Sequence, residues 1–401
     1  MAIKELNKEC CGCAACVDIC PKDAISMRED QETFRYPVVD HDKCIDCGLC
    51  EKICPLNFSD FQDCDSVDSY VGKYKSEKVV YNSSSGGAFT ALYQTLIKAG
   101  YVVYGAQYFD HLKVAHGRAE AEQECEKFRK SKYVQSDTEG IFKSVEHDLH
   151  EGKSVCFSGV SCQCAALISY LDAKKVNRDH LVTVNILCHG VPSQAIFDKY
   201  IEEEEKKESA RVLQFRFKNK ETGNSNKVDT RTAQVEFSNG HKYIRTRGDD
   251  PFLRGYYFRL FYRPSCGVCH FTCKERITDI TIADAWGIEK IKPEYKTGEG
   301  LSLILFNTEK AKEYLDSVES LMDLEKVPSE WALTSQGLFS TPTDMHKNRD
   351  KFFKLWEKKS FRKAVFTCTA TNMKQKIWLM IPYSIRSKIR SAMKGWFFRI
   401  Y

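Results

Sequence analysis

Two copies of one cysteine pattern lie within the first 55 residues and constrain what this chain can fold around. The first is Cys10-x-x-Cys13-x-x-Cys16-x-x-x-Cys20-Pro21, and the second is Cys44-x-x-Cys47-x-x-Cys50-x-x-x-Cys54-Pro55. Two intervening residues let the chain curl around one side of a cubane, with backbone N–H groups facing the sulfurs. A remote fourth thiolate ties the halves together, so a segment of about 55 residues can fold with little apolar core. The proline after each fourth cysteine ends the short turn there. Zinc sites, the competing explanation, usually lack the third and fourth cysteines at this spacing. With no secretory signal ahead of the first run, a reducing cytoplasm is expected rather than a disulfide framework.

The double run resembles that of bacterial ferredoxins, in which the fourth cysteine of each run ligates the other cluster. The resemblance implies one [4Fe-4S] cluster on Cys10, Cys13, Cys16 and Cys54. It implies a second on Cys44, Cys47, Cys50 and Cys20. A ferredoxin-like domain is expected over 1–58, then a polar, acidic linker over 59–69.

A chain of 401 residues with 42% hydrophobic content has room for a true core beyond that segment. No stretch reaches the roughly 18 apolar residues of a membrane span. The net charge of +5 is unevenly placed. From Lys358 to Tyr401 there are eleven Lys plus Arg and no Asp or Glu, interleaved with Trp378, Trp396, Phe397 and Phe398. That is the composition of a segment lying on an anionic membrane surface. It is equally that of a C-terminal helix packed on the body with a basic outer face. Nucleic-acid binding fits less well, because no recognition motif accompanies the charge.

Along the rest of the chain, strands are predicted over 71–74, 101–109, 154–158 and 181–187, alternating with helices over 88–98, 141–150, 161–171 and 193–207. The alternation reads as βαβ units with parallel pairing. Antiparallel strands follow over 211–218 and 233–246, the latter folded at Asn239-Gly240. A strand over 301–306 and a helix over 309–321 complete a mixed sheet. The fold class expected is a dicluster ferredoxin-like domain followed by an α/β domain over 70–325, with a basic extension over 326–401.

Four more cysteines stand at the ends of predicted elements: Cys162, Cys188, and the pair Cys266-Gly-Val-Cys269. Loops at the ends of parallel strands are where α/β sheets gather ligands, and a helix N-terminus favours a thiolate at Cys162. Together they can make a third four-cysteine site, with Cys164 and Cys273 in reserve. Spacing alone leaves buried cysteines or a redox CxxC as alternatives.

Several motifs appear in order: Asn82-x-x-Ser85-Gly-Gly87, Lys132-Tyr133-Val134, Ser158-Gly-x-x-Cys162-Gln163, Leu187-Cys-His-Gly-Val-Pro-Ser193, Arg263-Pro-Ser-Cys-x-x-Cys269 and Asp279-Ile-Thr-Ile-Ala-Asp-x-Trp-Gly287. The set resembles the beta-subunit family of coenzyme F(420) hydrogenases and dehydrogenases over about 70–325. The resemblance implies FAD (FMN or a deazaflavin being alternatives) and a third [4Fe-4S] cluster on Cys162, Cys188, Cys266 and Cys269. The family includes flavoprotein reductases that do not need the deazaflavin, and bacterial members with a fused ferredoxin are associated with surface-polysaccharide synthesis.

Ser83-Ser84-Ser85-Gly86-Gly87 before a helix is a plausible phosphate cradle, although such loops more often simply cap the helix. Lys132 would pair with a phosphate or with a reduced flavin; the plainer reading is a surface lysine. His189 would relay a proton as a catalytic residue, or hydrogen-bond within its own turn.

The function expected is a cytoplasmic iron–sulfur flavoprotein oxidoreductase, or one lying peripherally at the inner face of a membrane. It would take electrons from a protein or reduced-cofactor donor and reduce a small organic molecule or a deazaflavin. A non-enzymatic electron-transfer subunit serving a partner protein is the second reading, and a zinc-bound structural module the third.

Overall fold

The fold is that of a computed structural model, which describes residues 8–61, 67–218, 220, 231–295, 300–370, 377, 378, 381 and 385. The chain begins with a small lobe built on the two cysteine runs. Its helix α1 (Ala15–Ile19) follows the first run, and β1 (Ile25–Glu29) pairs antiparallel with β2 (Arg35–Val39). Among the described residues, Cys16, Ile25 and Val39 form its own small buried cluster, as expected of a segment held by its ligands.

The body is organised by an eight-stranded mixed sheet. Its members are β3 (Asp68–Tyr74), β4 (Tyr101–Tyr108), β5 (Val114–Ala119), β6 (Ser154–Gly159), β7 (Leu181–Ile186), and three later strands. Those three are β11 (Ile280–Asp284), β12 (Ser302–Phe306) and β13 (Met322–Lys326). The order is β13-β3-β12-β11-β7-β6-β4-β5. The central run β4, β6, β7, β11 is parallel, and the strands beyond it on either side are antiparallel. Buried runs such as Val155–Phe157 and Leu303–Phe306 are what a sheet covered on both faces requires. Helices α2 (Ala88–Lys98), α3 (Ile141–His150) and α4 (Ser161–Ala173) connect and cover it.

A second, antiparallel sheet of β8 (Val212–Phe217), β9 (Thr232–Phe237) and β10 (Lys242–Thr246) has the hairpin predicted at Asn239-Gly240. It packs with α5 (Gln194–Glu208), α6 (Pro251–Tyr257), α7 (Arg349–Trp356) and α8 (Phe361–Thr369) around an aromatic core of Phe197, Phe215, Phe252, Phe352 and Phe361.

Three findings differ from the sequence reading. The helix expected over 309–321 is broken into Glu309–Lys312 and Leu315–Leu321, with Tyr314 between them bonded to Tyr101. The motif around Ile280 is a central strand, β11, whose Ile-Thr-Ile alternation has the right period for one. The extension expected over 326–401 is partly core: Phe361, Ala364, Val365 and Cys368 are buried, and Trp378 packs against the same cluster. The rest of that extension, including Trp396, Phe397 and Phe398, lies outside the described residues. Among those described, no helix is long and apolar enough to cross a membrane.

The small lobe is docked on the body. Asp18 of α1 is buried and accepts the N–H groups of Gly140 (2.8 Å) and Phe142 (3.2 Å), so it caps α3, whose own N-cap Gly140 has no side chain. Thr138 Oγ1 donates to Cys13 O at 2.8 Å. Gln135 Nε2 donates to Cys11 O at 2.9 Å and Gly12 O at 3.2 Å. Arg349 makes a bidentate pair with Glu32 at 2.8 and 2.7 Å, and Arg35 pairs with Asp137 and Glu139.

Candidate functional site

The sulfurs gather in three sets. Cys20, Cys44, Cys47 and Cys50 line one cavity with Ile25 and Val39, so the fourth cysteine of the first run sits with the second run. Cys10, Cys16 and Cys54 lie close enough to act electrostatically on one another. Cys13 adjoins Cys16. Cys20 thus lies with the second run and Cys54 near the first, the placement that crossed ligation would need. Backbone amides point at the sulfurs as the spacing demands: Gly12 N–H to Cys10 Sγ at 3.4 Å and Ala24 N–H to Cys20 Sγ at 3.3 Å. Such bonds tune the potential of a bound cluster.

The third set is in the body. The loop after β6 brings Cys162 to the start of α4, the loop after β7 brings Cys188, and the turn Pro264–Val268 with Cys269 brings the last two. Cys162 is within electrostatic reach of Cys188 and Cys269, and Cys188 of Cys266 and Cys269. Gly190 N–H donates to Cys188 Sγ at 3.3 Å. Gly190 has φ +128°, and a Cβ there would lie 2.3 Å from the Tyr262 ring, so only glycine lets the Cys188 loop close down. Burial pushes Cys188 up to about 12 and Cys266 up to about 11. These thiols keep their protons unless a metal displaces them.

Cys164 of the reserve pair does not join this set: it is fully buried and its thiol faces Val184 O at 4.0 Å. Cys273 lies beside Cys269, with its thiol bonded to Glu275 O at 3.4 Å. The sequence reading passed over Cys11, which falls outside the repeated spacing. Its side chain contacts Cys13 and Cys162 and so stands between the first and third sets. Nothing in the spacing signals that role; only the docking of the lobe does.

The donor sets fit iron–sulfur clusters. Each set offers four cysteines, with a backbone N–H on one sulfur of each, which is the donor chemistry of a bound cubane.

The expected flavin residues are arranged differently from a free cradle. Ser83 Oγ donates to Val79 O and Ser85 Oγ to Leu301 O, each at 2.7 Å, while Ser84 Oγ accepts the Ser131 N–H at 2.8 Å. Gly86 N–H donates to Ser302 Oγ at 2.9 Å, and Gly87 takes the left-handed N-cap position of α2. Lys132 directs its amine at Phe128 O, Arg129 O and Lys130 O at 3.3, 3.0 and 3.2 Å, and burial lowers its pKa to about 7. It closes its own turn, near the Tyr108 ring. Lys220, which the sequence reading did not single out, donates to Val80 O at 2.6 Å and Ser85 O at 2.7 Å beside the serine loop.

His189 is exposed beyond the end of β7. Partial desolvation lowers its pKa, the Lys218 and Arg259 charges add to that, and Asp284 at the end of β11 opposes it. Asp284 is paired with Lys218. His189 and Asp284 stand at the carboxyl ends of the parallel strands β7 and β11, where open α/β sheets bind ligands.

Comparison with known proteins agrees with this geometry. Residues 152–330 match the family model for the C terminus of the coenzyme F(420) hydrogenase/dehydrogenase beta subunit. Residues 9–58 match that of a 4Fe-4S dicluster domain. Among curated proteins, a "Ferredoxin 7Fe" of Hydrogenibacillus schlegelii and a ferredoxin of Alicyclobacillus acidocaldarius are each 48% identical over 44 residues, 11% of this chain and 50% of theirs. A ferredoxin of Streptomyces griseus is 33% identical over 76 residues, 18% of this chain and 67% of its own. The chain thus spans about half the length of the first two relatives. A chain of the F(420)-reducing [NiFe] hydrogenase complex from Methanosarcina barkeri superposes at a TM-score of 0.44 and 14% identity, covering 78% of this chain and 94% of that one. At that score the likeness carries no argument. Over 152–330 the chain is similar to the C terminus of the coenzyme F(420) hydrogenase/dehydrogenase beta subunit, and over 9–58 to 4Fe-4S dicluster domains of the ferredoxin type.

Proposed function

We propose that this protein is an iron–sulfur flavoprotein oxidoreductase in which electrons cross from the small lobe into the body. When bound, the clusters relay single electrons and a flavin converts two of them into a hydride. The observation that carries the reading is the continuity of sulfur across the domain boundary. Cys47, exposed beside Ile45, offers an edge to a donor. Cys50 lies beside Cys16 and Cys54. Cys11 leads from there to Cys162, and Cys162 to Cys188 and Cys269. Cys10, Cys13, Cys16 and Cys54 would hold the first cluster, Cys44, Cys47, Cys50 and Cys20 the second, and Cys162, Cys188, Cys266 and Cys269 the third.

The flavin would lie against the 83–87 loop on the side of the ends of β7 and β11. Lys220 is beside that loop and Lys218 is paired with Asp284, so both would supply positive charge, and His189 would hold or release a proton. The substrate class is an organic molecule with a reducible double bond or ring, or a deazaflavin, and a role in surface-polysaccharide metabolism follows the family association.

Anaerobic reconstitution with quantification of iron, sulfide and flavin tests this. The expected content is about twelve iron per chain, three cubanes of four, and one flavin. A sample saturating at about eight iron removes the third cluster. A zinc-loaded, iron-free sample that stays folded sinks the whole reading.

One observation favours an electron-transfer subunit without its own substrate: the hydroxyls of Ser83 and Ser85 and the amine of Lys132 are already satisfied within the protein. Full cluster content with no FAD uptake would select that reading.

A further inference from the structure

Arg263 is 1% exposed and faces no carboxylate among the described residues. Its Nε donates to Cys10 O at 2.7 Å, Nη2 to Arg35 O at 2.8 Å and Nη1 to Gln135 Oε1 at 3.2 Å. The rings of Tyr36 and Phe34 lie 4.5 and 5.5 Å from the guanidinium. On the body side, its backbone N–H donates to Val191 O at 2.8 Å and its carbonyl accepts the Cys266 N–H at 3.0 Å. The side chain therefore reaches into the small lobe while touching Gln135 of the body, and the backbone belongs to the loop that presents Cys266.

The close fit is visible in Gly12. Its φ is +69°, and a Cβ there would lie 2.6 Å from Arg263 Nη1. A guanidinium keeps its charge at every pH the fold survives, and burying one without an anion is costly. The charge reaches the sulfur of Cys10 in the first set, that of Cys266 in the third, and that of Cys11 between them.

We propose that Arg263 is a positioning residue whose buried charge is completed by the thiolate-ligated clusters on its two sides, locking the lobe to the body and making both clusters easier to reduce. This rests on the reading that clusters occupy the Cys10 and Cys266 sets. A cation between two anionic clusters stabilises the added electron on either. It acts little on the Cys20–Cys44–Cys47–Cys50 site, which lies beyond Cys16.

The test compares the wild-type full chain with R263Q, R263K, Q135E and Q135L, each reconstituted anaerobically with iron and sulfide. Iron is counted and each cluster titrated under electron paramagnetic resonance. Q135E places a carboxylate against the guanidinium and also removes the Gln135 bonds to Cys11 O and Gly12 O, so Q135L, which loses those bonds without adding charge, is its control. R263Q and Q135E should shift the one-electron equilibria of the two flanking clusters toward the oxidised form about tenfold, about 59 mV each. The remote cluster should not move, and R263K and Q135L should stay near wild type.

Unmoved potentials in an iron-replete R263Q overturn the proposal, as does an equal shift at the remote cluster or an R263K shift as large as that of R263Q. If R263Q loses its iron, Q135E decides: the same two potentials fall further than in Q135L, or the proposal fails. About eight iron in the wild type would instead overturn the third cluster, leaving the shift at the Cys10 set to decide the rest.

Discussion

Cys20 makes the crossing of the two runs testable one atom at a time. It follows α1 in the chain, yet lines the cavity of Cys44, Cys47 and Cys50. Cys20→Ala should remove about four of the roughly twelve iron and the spectrum of the second cluster, leaving the Cys10 set intact. Loss confined to the cluster of Cys10, Cys13 and Cys16 would show the ligation to be uncrossed. At this scale the sequence is most legible where residues recur at fixed offsets, because cluster geometry dictates them. It is least legible where a residue acts across the domain boundary. Cys11 sits between two ligands in the chain and shows its role only beside Cys162. Lys132 reads as a phosphate partner in its motif, yet the turn it closes consumes its three donors.

Among elements, the decisive contact is α1 against α3. Glycine at position 140 leaves the first amides of α3 without a side-chain acceptor of their own, and Asp18 fills that role from the other lobe. Burial raises the Asp18 pKa even as these two amide bonds lower it, so the carboxylate is held at some cost. Loss of an N-cap costs about 0.5–2 kcal/mol. Asp18→Ala should therefore loosen the lobe by roughly that amount, read as faster hydrogen exchange at 140–144 and easier proteolysis between lobe and body. Unchanged exchange there would mean the cap is dispensable. The sequence predicts α3 and the βαβ alternation because both are periodic. It suggests a lobe on a linker because nothing local announces that an aspartate will cap a helix 122 residues away. The strand β11 is hidden for a different reason: five residues flanked by motif residues are short for any periodic signal.

For the whole molecule, the question left by the composition is what the basic C-terminal segment does, and the fold divides it. Helix α8 is core: Phe361 and Ala364 are fully buried, and Arg254 donates to Thr369 Oγ1 at 2.6 Å and its carbonyl at 2.9 Å. Trp378, one of the aromatics that would otherwise be available to a membrane, packs against that core instead. Removing one buried phenylalanine costs about 3–5 kcal/mol, against a total stability of about 5–15 kcal/mol. Deleting 358–401 should thus unfold the aromatic layer and tell nothing about membranes. Deleting 386–401 is the informative cut, since it spares every buried residue named here. It removes Arg386, Lys388, Arg390, Lys394 and Arg399 together with Trp396, Phe397 and Phe398. Each basic residue near an anionic surface contributes about 1 kcal/mol, falling off within a Debye length of about 8 Å at physiological salt. A few such contacts with inserted aromatics suffice for reversible attachment. The full chain should bind anionic vesicles at low salt and leave them as salt rises, while the shortened chain keeps its iron and melting temperature but stays in solution. If the full chain ignores anionic vesicles at low salt, surface attachment is the wrong account of this segment. If the shortened chain melts markedly earlier, the segment is part of the packing and belongs with α8.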